Sequence, residues 1–248
     1  MRIRTILLQG SSVKSLTFLG DMFDGVQCPC ILLQLVATGK PLSTVGMRIE
    51  DRTRTYTIAM ERTVVPENFS FRMTDEEYRV LEKIKNSIPV CYLADHADFA
   101  LGIVTGNNKK FLSAEKTENS EMVLKGTDIC KYHINPAKQY LRFEPEQFQQ
   151  VAPLEIYRAP EKLLYRFISN QLVVAYDDRQ MLSLNSCNIV IPKIEGMQIK
   201  YILAILNSSV SQFVYQKEFH SIKVLRAHME HIPIPRVGKA IQNEIIAM

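Results

Sequence analysis

Short apolar runs separated by turn residues fill the opening third of the chain. They predict three strands, at residues 15–19, 30–37 and 55–60. The run Cys30–Ala37 is almost continuously apolar, which is typical of a strand that is covered on both faces. The opening third therefore predicts part of an α/β sheet.

A helix closes this opening part. Thr74 is followed three residues later by Glu77, which is the spacing of a capping box, and the apolar spacing beyond it extends the helix to about residue 86. We place the domain boundary after this helix. The chain is thus predicted to contain two domains, residues 1–88 and 89–248.

The second part combines short strands with longer polar connections. It predicts strands at residues 99–104, 172–175 and 187–191, a polar surface segment at 116–125, a helix opening at Pro160, a helical repeat over 198–219 broken at 207–209, and a helix over 221–231. A last amphipathic helix is indicated by KAIQNEIIAM. The predicted fold class is mixed α/β, in which short strands are braced by helices near residues 160–170 and 199–219.

Composition and charge narrow the functional classes. The chain has 248 residues, of which 46% are hydrophobic, and 30 basic residues against 26 acidic ones leave a formal charge of +4. A charge this small argues against binding of polyanions by bulk attraction, so that any nucleic-acid contact requires local clustering of cations. Five cysteines without a regular framework indicate a reduced, cytoplasmic protein. The apolar runs are too short to cross a membrane, so no membrane partner is predicted.

No motif for catalysis or metal binding stands out. The phosphate-binding glycine loop, the dinucleotide fingerprint, HExxH and GxSxG do not occur in the sequence. Cys28 and Cys30 lack the second pair that a closed zinc site needs, and we interpret them as buried structural thiols. His228 and His231 also lack further ligands nearby. Catalytic and metal sites are therefore predicted to be absent, although spacing alone does not exclude a Cys–His nucleophile.

The segment GIVTGNNKKF, residues 102–111, carries chemistry suited to nucleic acid. Its Asn amides can pair with adenine, its lysines with guanine or phosphate, and its Phe ring can stack on a base. A solvated hairpin with Phe111 in the core explains the same letters, and the segment taken alone favours that interpretation.

Seven short motifs follow one another along the chain and carry more information than any one of them. They are GIVTGNNKKF, LKGTDICKY, YLRFEPEQF, KLLYRFISNQLVVAYD, NSCNIVIP, IKYILAILNSSVSQFVY and LRAHMEHIPIP. In this order, over about residues 90–236, they closely resemble the TaqI-like C-terminal specificity domain of adenine DNA methyltransferases from restriction–modification systems. Related recognition domains occur in type I specificity subunits, so the resemblance leaves the system type open.

The same resemblance extends to the opening part. Residues 4–38, with the turn Asp21-Met22-Phe23, look like the end of the methyltransferase catalytic domain. The family's Asn-Pro-Pro-aromatic motif and its S-adenosylmethionine site lie upstream in such enzymes, and that motif does not occur here. The resemblance thus implies a C-terminal fragment that recognises double-stranded DNA for an upstream methyltransferase domain. The fragment itself is expected to bind no cofactor and to methylate nothing, while the full-length enzyme would use S-adenosylmethionine.

Residues that would contact DNA are predicted on this basis. The first set is Thr105, Asn107, Asn108 and Lys109 for bases, and Lys110 for phosphate. The second set is Lys138, Arg142, Arg158 and Arg166, of which Arg166 could equally form a buried ion pair. Tyr132 and Tyr140 are expected to pack in the core with their hydroxyls at the surface.

Two other functions stay open. The chain could be a module that docks to a separate methyltransferase or nuclease subunit, as in type I systems, with its last helix as the coupling element. It could also be a small hydrolase of unrecognised type, in which case a deep polar pocket away from the basic residues is expected.

Overall fold

The computed structural model of the chain describes residues 2–26, 28–65 and 70–248. The chain divides into two compact units, Met1–Lys83 and Ile84–Met248. Within the described residues the fold is mixed α/β, with four small open sheets and several helices.

The first unit is built around one four-stranded sheet. Its elements are α1 (Arg2–Gly10), β1 (Ser11–Asp21), β2 (Pro29–Ala37), β3 (Arg48–Glu50), β4 (Thr55–Thr57) and α2 (Asp75–Asn86), the last of which runs past the end of the unit. The sheet has the order β2-β1-β3-β4. β2 is antiparallel to β1, and β3 is parallel to it. A small core forms around Val13, Leu16, Met47 and Ile49.

β2 forms as predicted, but the predicted burial of its two faces is wrong. Ile31 is 54% exposed, Leu32 61% and Val36 51%. β2 pairs only with β1 among the described residues, and both of its faces are open. Apolar side chains are stabilised by burial, but whether they are buried depends on what packs against the strand. The prediction of buried thiols beside it is also wrong for Cys28, which is exposed, while Cys30 is half-buried.

The capping box of α2 is confirmed. The Thr74 amide donates to Glu77 Oε2 at 2.8 Å, and the Glu77 amide donates to Thr74 Oγ1 at 3.3 Å. Each side chain thus satisfies an amide that the first helical turn leaves without an intrahelical partner.

The second unit contains the remaining three sheets. Its strands are β5 (Val90–Cys91), β6 (Ala97–Ala100), β7 (Leu112–Ser113), β8 (Ser120–Leu124), β9 (Tyr140–Arg142), β10 (Lys162–Arg166), β11 (Val174–Asp177), β12 (Leu182–Ser183), β13 (Cys187–Pro192) and β14 (Ile234–Pro235). They form sheets of order β11-β10-β13-β6, β12-β8-β9-β7 and β14-β5. A continuous core, which includes Ile103, Leu124, Leu141, Leu164 and Ile189, lies against the two larger sheets.

Helices complete the second unit. They are α3 (Asn108–Phe111), α4 (Leu154–Tyr157), α5 (Ile199–Asn207), α6 (Ser209–Glu218), α7 (Arg226–Met229) and α8 (Lys239–Ala247), with 3-10 turns at Gly126–Asp128 and Pro145–Gln147. The helical repeat over residues 198–219 is confirmed, and so is its interruption. Ser208 ends α5 and caps α6, because its hydroxyl accepts the Ser211 amide at 3.2 Å. The amphipathic last helix is confirmed as α8.

Three predicted segments of the second unit, at residues 116–125, from Pro160 and at 221–231, differ from the structure. The segment after Pro160 is not a helix but β10, the second strand of a sheet, in which Leu163, Leu164 and Tyr165 are all buried. The predicted polar surface segment contains β8, whose Val123 and Leu124 are fully buried. The apolar pattern of such a short run does not distinguish a helix from a buried strand. The run becomes a strand here because it pairs with neighbouring strands of a sheet.

The predicted helix over residues 221–231 shrinks to α7. Its first residues are held in an extended arrangement, since Lys223 forms a bridge to Ile168 and Tyr215 donates its hydroxyl hydrogen to the Ser221 carbonyl at 3.2 Å. No helix within the described ranges is long and apolar enough to cross a membrane.

Candidate nucleic-acid interface

Residues 102–104 lock the predicted recognition segment into the second unit. Ile103 is buried and donates its amide hydrogen to the Ser183 carbonyl at 2.7 Å. Val104 exchanges both backbone hydrogen bonds with Gln150, at 2.8 and 3.0 Å. A Cβ on Gly102 would stand 2.2 Å from the Leu184 carbonyl oxygen, so only glycine fits there. The segment beyond therefore starts from a fixed point.

The polar loop that follows is a capped helical turn. Thr105 is only 4% exposed, and its hydroxyl donates to Asn108 Oδ1 at 2.6 Å. Gly106 has a φ of +75°, a conformation that favours glycine. The Asn107 side chain accepts the Lys110 amide at 3.3 Å and caps α3. The predicted hairpin turn is thus wrong, because the loop forms a helical turn. In this conformation the Thr105 hydroxyl binds the Asn108 side chain within the loop.

The lysines of α3 face outward while its aromatic ring faces inward. Lys109 and Lys110 are exposed. Lys110 Nζ donates to Gln147 Oε1 at 2.9 Å and lies 4.8 Å from the centre of the Phe111 ring. Phe111 is 9% exposed and meets Phe148 edge to face at 5.2 Å. Core packing of Phe111 is confirmed, and stacking of this ring on a base has no support in the structure.

The second set of predicted residues divides in two. Lys138 and Arg142 are exposed, and Arg142 Nη2 lies 2.6 Å from Glu144 Oε1. Arg158 and Arg166 are engaged internally: Arg158 contacts Glu121 at 2.5 Å and the Gln180 carbonyl at 2.7 Å.

Arg166 joins β10 to the 3-10 turn at Gly126–Asp128. Its guanidinium donates to the carbonyls of Gly126 and Ile129, at 2.9 and 2.5 Å. Carbonyls rather than a carboxylate are its partners in the described structure, so the predicted buried ion pair is not what forms. In this conformation Arg158 and Arg166 both connect segments of the fold.

The sheet β12-β8-β9-β7 presents a polar outer face that sequence reasoning missed. Tyr140 and Arg142 lie on one face of β9, since side chains alternate along a strand, and the buried Leu141 lies on the other. Ser113 pairs with Tyr140, and Ser120 pairs with Arg142. The alternation in Tyr140–Arg142 was the only local signal, because the partner strands lie far away in sequence. Tyr132, expected in the core, is 51% exposed.

Two of the cysteines do not resemble catalytic nucleophiles. Cys91 and Cys187 are buried, and burial raises the pKa of each thiol, so that both remain protonated and unreactive at neutral pH. The described residues contain no cluster of three or more His, Cys, Asp or Glu side chains that could hold a metal ion.

One further cavity, of about 550 Å³, lies between α5 and α8. Most of its lining is apolar, with Tyr132, Tyr176 and Lys200 as the polar members, and none of the described residues that line it is a Ser, Cys or His. The cavity therefore offers no nucleophile–base pair of the kind a hydrolase needs.

Residues 121–234 match the TaqI-like C-terminal specificity domain. No curated protein matches the chain.

The solved structures that resemble the chain include the following three. The type IIL restriction-modification enzyme MmeI, solved in complex with DNA, is 10% identical, with a TM-score of 0.56 over 96% of this chain and 37% of its own. The HsdS subunit from Thermoanaerobacter tengcongensis is 14% identical, with a TM-score of 0.44 over 69% of this chain and 41% of its own. The type IIG restriction endonuclease BpuSI is 10% identical, with a TM-score of 0.44 over 98% of this chain and 39% of its own. The chain spans about two fifths of the length of these structures. The likeness to MmeI is a likeness of fold.

Proposed function

Because residues 121–234 carry a TaqI-like C-terminal specificity domain, we propose that the chain recognises a DNA sequence for a restriction–modification system. In this proposal the second unit binds double-stranded DNA and positions an adenine for methyl transfer by a methyltransferase domain that uses S-adenosylmethionine. The type II context is our preferred one, because the chain follows the fold of a type IIL enzyme over 96% of its length.

The observation that carries the proposal is the match of the specificity domain together with a surface suited to DNA. Lys110 and Arg142 come from separate parts of the sequence and line one cavity of the second unit. Lys109 and Lys138 are also exposed on this unit. Phosphate contacts of such cations set the register of a protein on a duplex, and base contacts then decide the sequence.

The chemistry of adenine methylation explains why a separate recognition unit is needed. The target base must leave the stack, which costs a few kcal/mol, so other residues have to grip the flanking DNA. In our proposal Asn107, Asn108 and Lys109 on the α3 loop read base edges. Thr105 acts indirectly there by positioning Asn108.

The open sheet of the first unit supports a methyltransferase domain as the protein partner. β2 exposes Ile31, Leu32 and Val36 on the edge strand of the sheet, and exposed apolar edges of this kind mark interaction sites. We propose that these residues complete the sheet of that domain. The first unit would then be the end of the catalytic domain, and the described chain would not methylate DNA by itself.

A second candidate is a module that acts mainly through protein contacts, as in type I specificity subunits. The same exposed strand favours it. The two candidates differ in what the α3 lysines do, because only DNA recognition depends on their charge.

A binding experiment tests the proposal. The full chain is titrated with a random duplex pool at several salt concentrations, and bound duplexes are sequenced. We expect affinity to fall steeply as salt rises, because cations that contact phosphates displace counterions, and we expect one sequence to be enriched. A chain that binds no duplex at low salt overturns the proposal.

Charge reversal supplies the matched comparison. The double variant Lys109→Glu/Lys110→Glu should lose at least tenfold in affinity. The control Lys14→Glu/Lys40→Glu makes the same change in charge at exposed positions of the first unit and should bind almost as the unmodified chain does. Equal losses in both variants would indicate non-specific attraction and favour the protein-contact module.

A further inference from the structure

A small cavity lies over the polar outer face of the sheet β12-β8-β9-β7. Its volume is about 250 Å³. Two cations, four hydroxyl side chains and one carboxylate line it, together with Phe111 and Leu112: Lys110, Arg142, Ser113, Thr117, Ser120, Tyr140 and Glu144. We call this set the strand-face cavity.

Strand pairing brings these groups together. Ser113 stands opposite Tyr140 in the β7–β9 pair, and Ser120 stands opposite Arg142 in the β8–β9 pair. Directly paired side chains on one face of a sheet lie about 5 Å apart. Three strands from separate parts of the sequence therefore present their polar side chains to one space.

A hydrogen-bonded chain orients the two cations. Arg142 Nη2 lies 2.6 Å from Glu144 Oε1, and Gln147 Nε2 donates to Glu144 Oε2 at 2.8 Å. Lys110 Nζ donates to Gln147 Oε1 at 2.9 Å. The charge of Glu144 is thus balanced by Arg142, and donors of both Arg142 and Lys110 remain for a ligand, since a guanidinium has five and an ammonium three.

The hydroxyl groups differ in availability. Ser120 Oγ donates to the Thr117 carbonyl and accepts the Thr117 amide, both at 2.8 Å, so it is engaged. Ser113 Oγ accepts the Glu115 amide at 3.0 Å and keeps its own hydrogen to donate. The Tyr140 hydroxyl has no hydrogen-bond partner within the part of the chain that the structure describes.

From this geometry we propose that the strand-face cavity holds one backbone phosphate of the bound DNA, with Arg142 and Lys110 as its cations and Tyr140 and Ser113 as hydroxyl donors. A concave site suits a protruding phosphate, whereas base edges in the major groove are reached by side chains that project. Arg matches phosphate oxygens bidentately, and Lys adds a point charge. The inference rests on the proposed function and deepens it.

The salt dependence of DNA binding by the full chain tests the inference. Log affinity falls linearly with log salt, with a slope near −0.9 for each phosphate neutralised. We compare the unmodified chain with Lys110→Gln, Arg142→Gln and the double variant. If both cations serve one phosphate, the double variant should reduce the slope by about 0.9 and not by about 1.8.

Hydroxyl variants give a second readout. Tyr140→Phe removes a hydrogen bond to a charged group and should cost about tenfold in affinity without a change in slope. None of these variants should alter the enriched sequence, because a phosphate carries no base identity.

Lys239→Gln changes an exposed lysine outside the cavity and serves as the control, which should leave both slope and affinity unchanged. Circular dichroism confirms that each variant is folded.

The outcomes separate the two levels of the proposal. An unmodified chain that binds no DNA overturns the proposed function. If it binds, unchanged slopes in the double variant overturn the phosphate site alone. A reduction of the slope by about 1.8 would mean that the two cations contact separate phosphates, and it would also overturn the phosphate site. A changed base preference would mean that the cavity reads bases, with the same consequence.

Discussion

At the scale of single residues, the second unit contains a fully buried ion pair. The side chains of Lys162 and Asp177 are both 0% exposed, and Lys162 Nζ lies 2.5 Å from Asp177 Oδ2. Lys162 also donates to the Tyr157 carbonyl at 2.6 Å, and Asp177 accepts the amides of Arg179 and Met181 at 2.9 Å each. Burial lowers the pKa of Lys162, while the hydrogen bond with Asp177 opposes that change. Each of the two buried charges therefore depends on the other for compensation.

Lys162→Met is therefore expected to destabilise the protein by about 3–5 kcal/mol, because it leaves the Asp177 carboxylate buried without its cation. Denaturant unfolding followed by circular dichroism measures the loss. Lys193→Met is the control: it breaks a pair with Asp98 whose side chains are 59% and 42% exposed, and it should cost under about 1 kcal/mol. Equal costs in the two variants would contradict the argument.

His228 is a second residue whose protonation is coupled to folding. Its ring stacks on Phe219 with the ring centres 4.5 Å apart, and its Nδ1 accepts the Leu225 amide at 3.2 Å. Burial lowers the pKa of this imidazole. A protonated Nδ1 could not accept the Leu225 amide, so the contact also requires the neutral ring.

Acid should consequently weaken the second unit through His228. Its pKa is lower in the folded state than the value of about 6.5 expected for an unfolded chain, so the unfolded state binds the proton first as pH falls. The stabilising contribution is complete above about pH 6.5 and is lost as the pH falls below it. His228→Phe should flatten the decline of the denaturation midpoint between neutral and mildly acidic pH. His133→Phe, at an exposed position, should leave the decline as it is.

At the scale of elements, β2 is the strand whose surroundings disagree most with its sequence. Leu32 and Val36 lie on the same face of it and are 61% and 51% exposed. An exposed, apolar edge strand is an aggregation hazard unless another protein surface covers it.

Leu32→Glu/Val36→Glu should therefore suppress self-association of the isolated chain, as measured by light scattering at increasing concentration. The free energy of unfolding should change by only about 0.5 kcal/mol per site, because neither side chain is in the core. Val210→Glu/Ile222→Glu adds the same charge at two apolar positions that are each 50% exposed, and we expect no such suppression from it. A chain that stays monomeric without any substitution would show that β2 is not adhesive.

β10 is a buried strand in a segment for which the sequence pattern predicts a helix. Pro160 and the following charges suggest a helix start, yet Leu163, Leu164 and Tyr165 are buried in a sheet between β11 and β13. Three consecutive buried residues fit a strand that is covered on both faces. The neighbouring strands begin eight or more residues beyond the end of β10, so the local pattern does not report them.

At the scale of the whole molecule, the sequence by itself indicates a resemblance to the TaqI-like specificity domain. The order of seven short motifs carried that resemblance, and the match over residues 121–234 confirms it. Local signals also fixed the capping box at Thr74 and the break at Ser208, since both depend on contacts within three residues.

The assignment of individual DNA-contacting residues depended on tertiary structure. Lys109, Lys110 and Arg142 remain exposed, whereas Arg158 and Arg166 are engaged by partners 22 or more residues away, such as Gln180 and Gly126. An arginine that positions two segments of the fold and one that reaches for a phosphate look alike in sequence.

The sequence by itself determined the resemblance to the specificity domain, the mixed α/β class and those elements whose start and stop signals are local. Only the tertiary structure decided which apolar strand is covered, which cations are free to bind and which strands place Ser113, Ser120 and Arg142 around one cavity. The physical reason is range. Caps and periodicity act over a few neighbouring residues, whereas burial and the convergence of side chains depend on strand pairings between distant parts of the chain.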